Sequence, residues 1–250
     1  DLKGKATGKV RLSQIFKTPL RPDVIKRAVI AIQSHRFQPQ GRDVMAGKRT
    51  TAESRGVGLG ISRVSRLKER QTAALIPSAV GGRQAHPPLV EKKIRKKIPR
   101  KEMRLALQSA IAATASKEIA ASRGHVIDEV PDFPLIVTDE IQELNKTKDV
   151  KDTFLQLGIW PDIYRVRESR KVRAGRGKGR GRRIKQAVGP LIVINENKGF
   201  AEAARNIPGV DIVRVDSLNV ELLSPGAHPG RLTMWTNSAV EKLDELFGER

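Results

Sequence analysis

The chain has 250 residues, no cysteine, and 48 Lys+Arg against 27 Asp+Glu, a formal net charge of +21. Without cysteine it has no disulfides and no thiolate metal sites, which fits a cytoplasmic protein. No apolar run approaches the roughly 20 residues that span a bilayer and no signal-peptide pattern opens the chain, so the excess cation points to nucleic acid and not to a membrane.

Lys9-Val10-Arg11-Leu12 alternates and predicts a short edge strand or an extended arm. Pro22-Asp23 then opens a helix, with Val24, Ile25, Ala28, Val29 and Ile32 on one apolar stripe running to about Phe37. Pro39-Gln40-Gly41 releases the chain into residues 41–100, which hold seven glycines, four prolines and no Phe, Tyr or Trp. No apolar period persists there. The bases are Arg42, Lys48, Arg49, Arg55, Arg63, Arg66, Lys68, Arg70, Arg83, Lys92, Lys93, Arg95, Lys96, Lys97 and Arg100, against the acids Asp43, Glu53, Glu69 and Glu91, a net of +11. So long a segment without a pattern is functional or disordered. Patterned chain lies on both sides, so we read an insertion into a domain formed by residues 1–40 and 101–250.

Met103, Ala106, Leu107, Ala110, Ile111, Thr114 and Ile119 predict one long Ala-rich helix ending near Gly124. From there strand and helix alternate. Leu135-Ile136-Val137 is a buried strand, Thr138-Asp139 starts a helix, and Lys148–Leu157 makes another. Residues 159–167 are ambiguous. Leu191–Ile194, Ile212–Val215 and Leu232–Trp235 are strands, separated by short helices at Phe200–Asn206 and Ser217–Leu223. Thr236 or Ser238 caps the last helix, and Ser238 to Glu241 spells a capping box. This rhythm predicts an α/β fold of three layers, an open, mainly parallel sheet with helices on both faces.

Residues 165–185 form a second basic stretch, eleven bases against Glu168. It includes Arg170, Lys171, Arg173, Arg176, Lys178, Arg180, Arg182, Arg183 and Lys185. The other 169 residues, outside both stretches, hold 22 bases and 22 acids. The charge is therefore segregated onto two appendages. Glycines 175, 177, 179 and 181 alternate with Arg or Lys, a backbone that can lie close to phosphates while its cations pair with them.

Catalytic chemistry is hard to find. Gly47-Lys48 misses the phosphate-loop pattern, because Arg42 stands at the required glycine and Arg49 at the Ser/Thr position. His35, His86, His125 and His228 are scattered without metal spacing, and no GxSxG elbow exists. His86, in GRQAHPP, suits an RNA contact or stacking group. Tyr164, Trp160 and Trp235 are too separated for a base-stacking platform. Neither basic stretch has a major-groove motif, whereas an extended Gly/Arg/Pro arm suits folded RNA, with its phosphates and 2′-hydroxyls. The leading expectation is structural RNA binding without catalysis, metal or cofactor. The alternatives are an α/β enzyme acting on RNA with a basic gripping arm, and a free RNA chaperone.

Five segments carry a resemblance: RTTAESRGVGLG (49–60), GGRQAHPP (81–88), RLALQSAIAATAS (104–116), RGH (123–125) and PGRLTMWTNSAVEKLD (229–244). In this order they resemble the family of universal large-subunit ribosomal protein number four, in its archaeal form. The resemblance implies a three-layer α/β domain on the surface of the large subunit, in the cytoplasm. It implies that the loop penetrates large-subunit (23S type) ribosomal RNA and that its tip, at about 62–76, lines the polypeptide exit tunnel. Ribosomal protein number twenty-two and the nascent peptide would be neighbours there. The tunnel-lining residues would be Arg66, Leu67, Lys68, Glu69, Arg70, Gln71 and Thr72. The tip reads RLKERQTAALIP, unlike the denser Gly/Arg/Trp turn of bacterial members, and the resemblance to archaeal members leads us to expect no long carboxy-terminal extension of the eukaryotic kind after Arg250.

Overall fold

The computed structural model describes residues 1–247 and divides the chain into two compact units, one of Asp1–Gln33 with the chain from Lys97 onward, the other of Ser34–Lys96. The first unit holds the regular structure. Its helices are α1 (Pro22–Ser34, whose last residue falls in the second unit), α2 (Arg100–Ala113), α3 (Lys117–Ser122), α4 (Thr147–Gln156), α5 (Trp160–Glu168), α6 (Phe200–Ala204), α7 (Val220–Leu223) and α8 (Asn237–Phe247). Its strands are β1 (Leu135–Val137), β2 (Lys171–Val172), β3 (Ile184–Lys185), β4 (Leu191–Ile194), β5 (Asp211–Arg214) and β6 (Thr233–Thr236).

The main sheet has the order β1-β6-β4-β5, with every neighbouring pair parallel. Both faces are covered, so β4, Leu-Ile-Val-Ile, is buried at every position. Alternation along the strands divides the core in two. Leu191, Val193 and Trp235 face one cluster with side chains of α1, α2, α7 and α8. Ile192, Ile194, Met234, Leu135 and Val137 face the other, with side chains of α3, α4, α5 and α6. The result is the expected three-layer α/β arrangement. Trp235 sits fully buried in the first cluster, edge-on to Phe16 with ring centroids 5.7 Å apart.

The structure corrects several local expectations. The Ala-rich helix breaks after Ala113: the Thr114 hydroxyl bonds back to Ile111 O at 2.7 Å, and Ser116 caps α3 by accepting from Ile119 N. α1 stops at Ser34, short of Phe37. After β1 the chain makes only a 3₁₀ turn over Asp139–Glu143, while the ambiguous stretch is helix α5. Residues 9–12 form no strand. The capping box at Ser238 does not form, since Ser238 lies inside α8. Asp139, from the segment after β1, instead accepts from the Ser238 backbone N at 3.2 Å and from its hydroxyl. A carboxylate at a helix N-terminus satisfies an orphan donor and complements the dipole.

The second unit contains no helix or named strand beyond the last residue of α1. Its limbs run side by side near the base: Arg42 N donates to Pro88 O at 3.2 Å, and Lys96 N to the Ser34 hydroxyl at 2.9 Å. Further out, Glu53 pairs antiparallel with Arg66, and Arg66 with Ala73. Ala52 is the one buried apolar residue among its described residues.

Candidate nucleic-acid interface

The second basic stretch has a defined shape. It leaves α5, whose last turn carries Arg165 and Arg167, and forms a hairpin in which Lys171 pairs with Lys185 and Val172 with Ile184. Between the strands lies a 3₁₀ turn over Arg176–Arg180, closed by Gly181 at φ +78°, a backbone angle that favours glycine. Arg173 N donates to Arg183 O at 2.8 Å, and the half-buried Arg173 side chain to Arg182 O at 3.1 Å. Arg170, Lys171, Arg176, Lys178, Arg180, Arg182, Arg183 and Lys185 are exposed. None of them bonds a carboxylate among the described residues. Two lysines directly opposite each other destabilise an antiparallel pair, and an external anion would relieve that repulsion.

The base of this hairpin is locked. Arg165 Nη2 donates to Val188 O at 3.0 Å, and Ala187 N to the Ser169 hydroxyl at 2.8 Å, so entry and exit are tied to the end of α5. Arg165 is itself oriented by Asp162, which is fully buried and accepts from Arg165 Nε at 2.9 Å, from Val126 N at 3.0 Å and from His125 Nδ1 at 3.0 Å. Burial favours the neutral acid, but the bonds from His125 and Arg165 outweigh it and hold the Asp162 carboxyl below its ordinary range. Sequence reasoning counted Arg165 with the external cations and singled out neither Asp162 nor His125 for this joint. The Asp162–Arg165 spacing is the i,i+3 signal of a helix pair, but it is legible only once the ambiguous stretch is known to be helical.

A second lock uses one arginine from each of two sequence motifs. Arg123, of RGH, donates to Pro225 O and His228 O. Burial, with Arg231 and Arg165 nearby, pushes its guanidinium down to about 10. Arg231, of PGRLTMW, is buried and donates to Gly189 O at 2.8 Å, Leu222 O at 2.9 Å and the Asp211 carboxylate. These arginines are internal ties.

In the second unit the basic residues divide. Arg42 donates to the Gln84 side chain, Arg49 pairs with Asp43, and Lys68 lies 3.6 Å from Glu53. Arg66 is half-buried: its Nη1 donates to Gln71 O and its Nη2 to the Ser62 hydroxyl, each at 3.1 Å. Leu67 is half-buried and its N donates to Thr72 O, closing a turn whose residues Lys68, Glu69, Arg70 and Gln71 are exposed, with Gln71 at φ +53°. Lys48, Arg55, Arg63, His86, Lys92, Lys93, Arg95 and Lys96 are exposed, and Arg83 is half-buried. Lys97 and Arg100 are exposed at the start of the returning chain, in the first unit.

Among the described residues, no group of three or more His, Cys, Asp or Glu could hold a metal ion, and no helix is long and apolar enough to cross a membrane. A family model described as the ribosomal protein L4/L1 family matches residues 10–246. The large ribosomal subunit protein uL4 of Methanosphaera stadtmanae is 50% identical over 99% of this chain and 95% of its own length. Its namesake from Methanopyrus kandleri is 48% identical over 100% of this chain and 98% of its own length. That from Archaeoglobus fulgidus is 49% identical, covering 98% and 96%. With a match that spans the sheet, both locks and both basic appendages, the chain belongs to the ribosomal protein L4/L1 family.

Proposed function

We propose that the chain is a structural, non-catalytic constituent of the large ribosomal subunit in the cytoplasm, binding large-subunit (23S type) ribosomal RNA through the loop of residues 41–100 and the hairpin of residues 165–185. Its contribution is charge neutralisation and support of RNA folding during assembly. The observation that carries this reading is the hairpin: exposed cations without carboxylate partners, Lys171 opposite Lys185, on a base locked to the body. The relatives are named as large-subunit proteins, which supplies the particle. The loop penetrates the RNA, and its tip, Arg66–Thr72, faces the exit tunnel and the nascent peptide beside ribosomal protein number twenty-two.

Salt dependence tests the RNA part. Changing Arg176, Lys178, Arg180, Arg182 and Arg183 to Ala flattens the slope of log affinity against log salt by up to roughly 3 units, at about 0.7 per phosphate contacted on single strands. An unchanged slope would remove the hairpin from the interface. For the tip, replacing Leu67–Ala73 with a shorter Gly/Ser turn permits entry into large subunits but alters passage of stalling-prone nascent peptides. Failure to enter subunits at all would make the tip an assembly anchor.

A further inference from the structure

Residues 1–12 hold four bases, Lys3, Lys5, Lys9 and Arg11, against one acid, Asp1. Apart from these twelve residues and the two basic stretches, the chain has 18 bases and 21 acids. The body is thus mildly anionic, and its remaining excess of cation sits on one short segment.

That segment is held and displayed. Leu2 packs against the core, and the Asp1 carboxylate accepts from Lys3 N at 2.8 Å and Lys5 N at 3.1 Å, folding the start into a turn. Gly4, at φ +74°, comes so close to α4 that a Cβ would stand 2.6 Å from Gln156 O. At the other end Ser13, Ile15 and Phe16 are buried. Between these two anchors every residue from Lys3 to Leu12 is exposed, and from Lys5 onward the segment has no regular secondary structure. Val10 and Leu12 line a groove with Phe133 and Leu135. Lys5 and Lys9 line the same groove, and Arg11 does not.

Some cations of the body surface are matched by acids. Arg27 pairs with Glu102, Lys198 with Glu143, and Arg214 and Lys242 with Asp216. Lys3, Lys5, Lys9 and Arg11 make no ion pair among the described residues. Cations collected on a pinned segment of an otherwise anionic body repel one another unless a polyanion joins them. The segment has no aromatic residue and three of its four cations are lysines, which carry no planar group to stack on bases, so phosphates are what it suits. We propose that Lys3, Lys5, Lys9 and Arg11 form a third RNA-backbone contact, separate from the loop and the hairpin. This inference rests on the ribosomal RNA reading above and adds a site to it.

The test uses the full chain and a transcript of large-subunit ribosomal RNA, with affinity measured across a salt series. Changing Lys3, Lys5, Lys9 and Arg11 to Gln lowers the slope by up to roughly 3 units, at about 0.7 per phosphate. The control changes Arg27, Lys198, Arg214 and Lys242 to Gln, removing the same formal charge where it is already matched, and leaves the slope in place. Circular dichroism melting confirms that both variants fold. An arm variant with the wild-type slope overturns the proposal, as does a control that falls equally, which would show an effect of net charge only. The hairpin variant distinguishes the two levels: if it flattens the slope and the arm variant does not, the RNA reading stands and the third contact fails. If neither changes the slope, the RNA reading itself fails.

Discussion

β4 and residues 92–97 are two short runs of the same chain that treat water in opposite ways. Leu191-Ile192-Val193-Ile194 is buried at every position, between two helical layers. Lys92-Lys93-Ile94-Arg95-Lys96-Lys97 is exposed at every position except the half-buried Ile94. The contrast extends to the units that hold β4 and residues 92–96. The body contributes all but one of the buried apolar residues, whereas within Ser34–Lys96 the only apolar residue buried among those described is Ala52. Apolar burial dominates folding free energy, so stability resides in the body. The loop holds chain in position without contributing much to it.

The largest expected effect lies in the body. Trp235→Ala removes a fully buried side chain that packs edge-on against Phe16. Truncations of this kind cost about 3–5 kcal/mol. Denaturant unfolding should show the free energy of unfolding falling by that amount. A loss below about 1 kcal/mol would mean that the core tolerates a void where it looks tightest.

Asp162→Asn comes next, and it probes the joint beneath the hairpin. The substitution removes the charge that Arg165 and His125 both bond. Breaking a buried ionic network by removing one partner costs about 3–5 kcal/mol, and the amide keeps part of the hydrogen bonding, so about 3 kcal/mol is expected at neutral pH. The pH dependence follows from the direction of the shift. The native carboxyl ionises below its ordinary range, so the unfolded state binds the proton first as pH falls. The contribution is complete above the unfolded value and is lost as pH drops through the native one. The gap between wild type and variant therefore narrows in acid, and a gap independent of pH would contradict the assignment.

Legibility in the sequence followed the range of the interaction. β1 and β4 were readable because a parallel strand covered on both faces is a continuous apolar run. The break between α2 and α3 was not, because Ala-rich periodicity continues through Thr114-Ala115-Ser116 while the side chains of Thr114 and Ser116 redirect the backbone. The cap of α8 comes from Asp139, far away in sequence, so no local pattern could show it. Charge behaved likewise. Composition alone marked both basic stretches, since net charge is additive along the chain. It could not show that Arg165 and Arg66 spend their guanidinium groups inside the protein, because that depends on which carbonyls and carboxylates the fold brings within reach.

Deleting Lys48–Lys92 and closing the gap with a short Gly/Ser linker should leave the body's cooperative unfolding intact. Each doubling of a loop costs only about 0.6 kcal/mol, so removing 45 of the 60 residues 41–100, at most about two doublings, shifts stability by about 1 kcal/mol at most, toward the folded state. Thermal unfolding by calorimetry checks this. Loss of a cooperative transition would show that the body needs the loop to fold.

The smallest effect separates two arginines at the tip. Arg66 pairs through its backbone with Glu53 in both directions, each bond 3.1 Å, and its guanidinium braces Gln71 O and the Ser62 hydroxyl. Arg70 lies four residues on, is exposed, and makes no side-chain bond among the described residues. Side-chain hydrogen bonds of this kind contribute about 0.5–1.5 kcal/mol each, enough to change local opening several-fold without touching the body. Arg66→Ala should therefore leave the melting of the body unchanged and speed thermolysin cleavage within residues 62–76 several-fold. Arg70→Ala should change neither. Equal cleavage of the two variants would mean that Arg66 is a surface cation like Arg70, and that the tip turn is held by its backbone bonds alone.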